Sequence, residues 1–259
     1  MQRVGTWLSA IVCLLSLTCV SPGFAADPSA VPILLYHRLG PVSPDEMTVT
    51  TPVFEAQLKL IQERGYKVIP LATLIAALGD ESAAPLPERA VVLTADDGHR
   101  TVYSDMFPLI QRLKIPVTLF IYPSAISNTD YAMTWAQLAE MKASGLVDIQ
   151  SHTFWHPNFN VEKKRLAPAA YEKFTQDQFL KSKAVLEQRL GGKVDLLAWP
   201  FGIRDDQLDQ WAQAAGYGAA FTIQRRPVTR ADPPMALPRF IVTDFDRGNR
   251  FVSLLGASK

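Results

Sequence analysis

Seven short apolar runs alternate along this chain with five stretches of helical periodicity, and that alternation limits the folds open to it. Residues 31–36, 67–71, 90–95, 117–122, 147–151, 194–199 and 218–223 read as strands. Residues 52–64, 101–114, 134–144, 171–190 and 205–215 read as helices; Phe54, Leu58 and Ile61 recur at helical spacing, as do Phe107, Ile110 and Leu113. Gly65, Gly145, Gly191 and Gly216 follow helical runs, where a left-handed residue ends a helix. Strands that read as continuous apolar runs are buried on both faces, and parallel strands need helical crossovers between them. The pattern therefore predicts βα units around a mainly parallel sheet in a single domain. Residues 80–89 and 224–238, rich in proline, read as loops.

The first 25 residues stand apart from this pattern. Arg3 is their one charge, residues 11–20 are apolar, and Gly23-Phe24-Ala25 forms a small-x-small cleavage pattern before Ala26. This reads as a secretory signal peptide, with residues 26–259 as the exported domain in the periplasm or outside the cell. Both cysteines, Cys13 and Cys19, lie in the leader, so a disulfide and a thiolate ligand are excluded from the remainder. Without Arg3 the chain carries 25 basic and 25 acidic side chains. No basic run marks a nucleic-acid partner, no second long apolar run marks a membrane span, and nothing marks an obligate protein partner.

Chemistry in a parallel α/β fold gathers at the C-terminal ends of strands. Asp96 and Asp97 end the third strand, His152 the fifth, Trp199-Pro200-Phe201-Gly202 the sixth, and His37 follows the first. Asp97, His152 and His156 offer one oxygen and two nitrogens to a divalent ion and leave a fourth position open. Asp96 remains to act as a general base on a metal-activated water. Taken singly, the aspartates read equally well as a helix cap with a solvated neighbour, and the histidines as loop residues. The convergence of four strand ends on one rim favours the metal site. There is no G-x-S-x-G nucleophile elbow, phosphate loop or dinucleotide fingerprint.

Three strings carry a resemblance: Thr94-Ala95-Asp96-Asp97, His152-Thr153-Phe154-Trp155-His156 and Ala198-Trp199-Pro200-Phe201-Gly202. They resemble the T-F-D-D, H-[ST]-x-x-H and R-x-P-[YF]-G motifs of the polysaccharide deacetylase family, the NodB-homology domain of carbohydrate esterase family four. The resemblance spans about residues 31–245. It implies a distorted (β/α) barrel of about seven strands, with Asp96 as base and Asp97, His152 and His156 as ligands of one divalent ion. Zinc is the first expectation for that ion; nickel, cobalt or iron are alternatives. The implied substrate is an N-acetylated polysaccharide.

The chain also departs from the family. Ala198 stands where the family has the arginine that steadies the base, and the late histidine that serves as general acid is missing, since no histidine follows His156. These departures, together with Leu35-Tyr36-His37-Arg38, resemble the branch of exported poly-β-1,6-N-acetylglucosamine N-deacetylases. His37 is the candidate for the missing acid, with a structural histidine as the other reading. Arg239 is a candidate to stand beside Asp96 and, with Trp199, Pro200, Phe201 and Gly202, to contact substrate; a surface salt bridge is its alternative. Trp155 and Phe154 are further candidates for a sugar-facing wall. An O-acetyl esterase using the same site and a glycan-binding barrel without turnover are the rival functions.

Overall fold

The computed structural model describes residues 30–80 and 82–256, so the leader expected at residues 1–25 lies outside the described residues. In chain order the elements are β1 (Ile33–Tyr36), β2 (Arg38–Gly40), β3 (Thr48–Thr50), α1 (Thr51–Glu63), β4 (Lys67–Val68), α2 (Leu71–Gly79), β5 (Ala90–Asp96), α3 (Phe107–Leu113), β6 (Val117–Ile121), α4 (Trp135–Ala143) and β7 (Val147–Ser151). They continue with α5 (Phe159–Arg165), α6 (Pro168–Leu190), β8 (Leu196–Ala198), α7 (Asp206–Ala214), β9 (Ala219–Phe221), β10 (Phe240–Ile241) and α8 (Gly248–Leu254). Every predicted strand and helix is found, and both predicted loops are loops apart from a 3-10 turn at Pro234–Ala236.

Seven parallel strands run in the order β10-β1-β5-β6-β7-β8-β9, with β4 added alongside β5. The sheet curls until its two ends nearly meet, which makes the distorted barrel. At the seam the Leu237 N–H donates to the Ala220 carbonyl at 2.9 Å, and the Thr222 N–H donates to the Leu237 carbonyl at 2.8 Å. The same strand then pairs with β1 as β10.

Strand pleating divides the core in two. Val91, Leu93 and Ala95 of β5 pack with Leu119, Ile121 and Leu197 against the helices. Val92 faces the other way, with Ile33, Phe120, Ala198 and Phe221, into the barrel interior, which α2 covers. Thr94 and Asp96 share the parity of Val92, so the strand that reads as purely apolar delivers a carboxylate into the barrel. All the parallel strands end at one rim.

One helix and one strand depart from the predicted form. The run over 101–114 opens as a π-turn, Val102–Met106, whose closing bond runs from the Phe107 N–H to the Val102 carbonyl. Pro108 lacks an N–H and interrupts the ladder there, and α3 follows. The predicted strand over 67–71 ends at Val68, because Leu71 already opens α2. Elsewhere the ends obey local rules. Thr134 and Gln137 form a capping box at α4, and Pro168 opens α6 at a position where a missing N–H costs nothing. Among the described residues, no helix is long and apolar enough to cross a membrane.

Candidate active site

β5 ends at Asp96 and the chain turns at once. Asp97 and Gly98 are both left-handed, with φ of 72° and 75°. A side chain at Gly98 would press on the ends of Ile121 and Ile126 at 3.0 Å and would be strained at this φ, so the turn favours glycine. The turn brings the Asp97 carboxylate back over the barrel mouth, beside Asp96.

The two histidines come from the loop after β7, and their spacing is not that of a helix. The His152 N–H still donates to the Ile121 carbonyl of β6, at 2.8 Å. Thr153 and His156 then take positive φ values of 63° and 64°. The loop is held in that strained shape by side chains. Ser151 Oγ accepts from the Thr153 N–H, Thr153 Oγ1 from the His156 N–H, and Gln178 of α6 from the Trp155 N–H. Among the described residues, four of the six non-glycine residues with positive φ are Asp97, Thr153, His156 and Phe201, all in or beside this site. Backbone strain of this kind persists only where the surroundings impose it.

The result is a compact donor set. His152 Nε2 and His156 Nε2 lie 3.5 and 3.7 Å from Asp97 Oδ1, and all three ligand atoms fall within 4.8 Å of one another. Donors about 2.0–2.2 Å from a tetrahedral ion stand about 3.3–3.6 Å apart, so two of these separations match such a site closely. Asp97 Oδ1 is buried and has no hydrogen-bond partner among the described residues. His152 Nδ1–H donates to the Ala198 carbonyl at 2.8 Å, which leaves the Nε2 lone pair for a ligand role. Burial, helped by neighbouring His156, pushes His152 down to about 3 and keeps it neutral, and burial lowers His156 too. Burial raises the Asp97 carboxyl, with Asp96 adding to the effect.

Asp96 is in a different position. It is enclosed, its Oδ2 lies 3.8 Å from His152 Nε2, and Arg239 grips it from behind. The two guanidinium nitrogens donate to the two carboxylate oxygens at 2.8 Å each, while Arg239 Nε donates to the Thr222 carbonyl. The rings of Phe120 and Phe221 flank the guanidinium, with centroids 5.2 and 5.8 Å from its carbon. Burial works to raise the Asp96 carboxyl, but Arg239 outweighs it, with His152 assisting, and holds it below the usual carboxylate range. Arg239 thus stands beside Asp96, where Ala198 leaves no arginine. It is fully enclosed behind Asp96, so its expected contact with substrate is corrected to a contact with Asp96.

In front of these groups is a cleft of about 340 Å³ whose walls include His37, Met47, Phe201, Ile223 and Ile241. His37 Nδ1 is buried without a partner among the described residues, and burial lowers its pKa against the pull of Asp96 and Asp97. The Trp-Pro-Phe-Gly string divides its tasks. Trp199 is buried, donates from Nε1 to the Met235 carbonyl, and packs edge-on against Phe159 and Phe179. It is an anchor with little face to offer a sugar. Pro200 is also buried. Phe201, at φ 57°, projects outward with 56% of its surface exposed and meets the His156 ring edge-on at 4.6 Å. Gly202 fits where a side chain would strike Ile223 at 2.6 Å. Trp155 packs on Phe174, and the Phe154 carbonyl accepts from the Ser124 N–H; neither lines this cleft. Met47, Ile223 and Ile241 had no sequence signal beyond being apolar, and only the curl of the sheet brings them together.

The sequence profile of the polysaccharide deacetylase family matches residues 83–220, more than half of the chain. The chain belongs to this family. A poly-β-1,6-N-acetyl-D-glucosamine N-deacetylase of Staphylococcus aureus is 24% identical over 201 residues, 76% of this chain and 68% of that protein. Among solved structures, IcaB from Ammonifex degensii superposes with a TM-score of 0.76 at 25% identity, covering 88% of this chain and 98% of IcaB. The Streptococcus pyogenes deacetylase PplD gives a TM-score of 0.78 at 22% identity, covering 88% of this chain and 99% of PplD, and shares the barrel.

Proposed function

We propose that this polysaccharide deacetylase is exported and metal-dependent, and that it removes acetyl groups from N-acetylglucosamine units of a polymer. The observation that carries the reading is the pairing of two carboxylates with opposite settings. Asp97 is an orphaned oxygen beside two neutral imidazoles, and Asp96 is an anion locked by Arg239. The donor set, one carboxylate and two imidazole nitrogens, suits zinc. The likeness to the S. aureus N-deacetylase and to IcaB supports the substrate class, and the pattern of residues 1–25 supports export.

Asp97, His152 and His156 would hold a divalent ion, which would supply Lewis acidity toward the acetamide carbonyl and toward water. Asp96, kept ionised by Arg239, accepts a proton from the attacking water. The oxyanion needs an N–H donor nearby. Trp199 uses its own in the sheet, on the Phe221 carbonyl, and Pro200 has none, so the Phe201 N–H is the donor of that string. His37, whose unpartnered ring nitrogen in the cleft is free to take up a proton, passes the proton that Asp96 accepted on to the amine as the carbon–nitrogen bond breaks. A barrel kept only for binding glycans has no use for a buried carboxylate held ionised in this way.

The test is acetate release from β-1,6-linked N-acetylglucosamine oligomers and from acetylated xylan, with and without added zinc. The parent is expected to act on the amide substrate, and Asp96→Asn to lose about 10²–10⁴-fold while still binding zinc. Activity confined to xylan would replace the reading with an O-deacetylase. Near-parental turnover in the variant would remove Asp96 as the base.

A further inference from the structure

Asp97 also walls a second cleft, of about 320 Å³, whose other lining residues are Arg38, His99, Tyr122 and Tyr131. The reaction described above gives none of these four a task. Tyr131 is 43% exposed, and its ring lies parallel to that of His99, with centroids 6.3 Å apart and planes 15° apart. The platform is firmly held. The Tyr131 and Tyr122 hydroxyls bond at 2.7 Å, the Arg100 N–H donates to the Tyr131 carbonyl at 2.7 Å, and His99 Nδ1 bonds Thr101 Oγ1 at 2.9 Å. A rigid, half-exposed aromatic face beside a polar rim is the type of surface on which a pyranose ring stacks.

Arg38 supplies the cation of this lining. Its partner Asp45, at 3.0 Å, is itself engaged by the Met47 N–H and the Thr48 hydroxyl. Asp97 contributes an anion to the shared wall, but its Oδ1 faces the two histidines.

Resting on the proposed substrate, we propose that the second cleft holds the sugar next to the one being deacetylated, and that Arg38 makes it favour a neighbour still carrying its acetyl group. Because both clefts share Asp97, a polymer with one acetamide at the histidines passes its next unit over Tyr131. An acetamide there offers a carbonyl that a guanidinium N–H can donate to. A unit already deacetylated carries an ammonium, which has no acceptor for Arg38 and is repelled by it. Both effects favour the same neighbour, so the product should carry amines separated by acetylated units before runs of amines appear.

The experiment uses a β-1,6-linked N-acetylglucosamine pentamer, with the positions of the amines in early products read by tandem mass spectrometry. The parent is expected to give separated amines, and Arg38→Gln to give adjacent amines at the same extent of reaction. Tyr131→Ala should lose about tenfold more kcat/KM on the pentamer than on 4-nitrophenyl acetate, which is too small to reach the platform. Melting curves confirm that both variants fold. Adjacent amines from the parent at the outset, an unchanged pattern in Arg38→Gln, or equal losses on the two substrates for Tyr131→Ala would each overturn the inference while leaving the proposed function standing. A parent that releases no acetate from the pentamer overturns the function and the inference with it.

Discussion

Arg239 and Asp96, 143 positions apart in the chain, form a buried two-pronged ion pair, with Arg239 fully enclosed and Asp96 reaching the cleft through 2% of its surface. Such a pair is costly to assemble and more costly to break on one side. Removing one partner leaves a buried charge, worth about 3–5 kcal/mol, whereas replacing both with apolar groups is often neutral. Arg239→Met is therefore expected to lower the melting temperature strongly, at about 2–4 °C per kcal/mol for a chain of this size. The double variant Asp96→Leu, Arg239→Met should recover much of that loss. Turnover should be lost in both, by at least about 10²-fold. Melting curves and acetate release on the same preparations check this. Equal destabilisation in single and double variants would mean that the pair is not what Arg239 contributes.

The donor set of Asp97, His152 and His156 leads to a second expectation. Zinc at 100 times its dissociation constant should stabilise the folded chain by about 2.7 kcal/mol, because the unfolded chain has no assembled site. That corresponds to a rise of about 5–11 °C in melting temperature. The double variant His152→Ala, His156→Ala should show no such rise and should bind zinc at least about a hundredfold more weakly in a calorimetric titration. An undiminished zinc-dependent rise in the variant would place the ion elsewhere.

Acid should unfold the protein through its paired carboxylates. Asp244 accepts bonds from the Thr50 N–H at 2.8 Å and the Thr50 hydroxyl at 2.7 Å, and it pairs with Arg247, so it ties the start of α1 to the segment after β10. Burial alone would raise its pKa, but the Thr50 and Arg247 bonds outweigh burial and hold it below the usual carboxylate range. A depressed folded pKa gives stability that is present above the unfolded value, about 3.9, and is lost as pH falls through the folded value. Asp232, lowered chiefly by its bond to Arg226, adds to the same trend. Asp244→Asn should cost about 1–3 kcal/mol at neutral pH and show a shallower fall in melting temperature below about pH 4. Parallel curves for parent and variant would exclude Asp244 from the acid response.

The barrel was legible because its strands are buried on both faces. A run such as Val91-Val92-Leu93 needs no context to be read, whereas α2 carries apolar residues nearly all round and β10 is only two residues long. The clustering of Asp97, His152 and His156 was legible from strand ends converging on one rim. The partner of Asp96 was legible only as one reading among two, since the contact depends on how far the sheet curls. The roles within Trp199-Pro200-Phe201-Gly202 were not legible. Both Trp199 and Phe201 reach the cleft, but Trp199 is buried and Phe201, at its positive φ, stands exposed, and composition says nothing about that. Tyr131 and Arg38 were not legible as a pair, because long-range bonds bring them together, from the Leu39 N–H of β2 to Thr101 Oγ1 and from the Arg100 N–H to the Tyr131 carbonyl, and no local pattern encodes them.

His37 is the residue whose chemistry most needs a direct test. It lines the cleft with an unpartnered Nδ1 among the described residues, and no histidine follows His156 to protonate the departing amine. An amine is a poor leaving group unless it gains a proton, while 4-nitrophenolate leaves readily without one. If His37 delivers that proton, His37→Ala should slow hydrolysis of the N-acetylglucosamine pentamer by about 10²-fold or more and that of 4-nitrophenyl acetate by less than about tenfold. A group that only shapes the cleft would affect both substrates alike, because both use the same donors and the same base. Comparing the ratio of the two rates, rather than either rate alone, also cancels any partial misfolding of the variant. A ratio equal to the parent's would assign His37 to the cleft wall and leave the proton to another source.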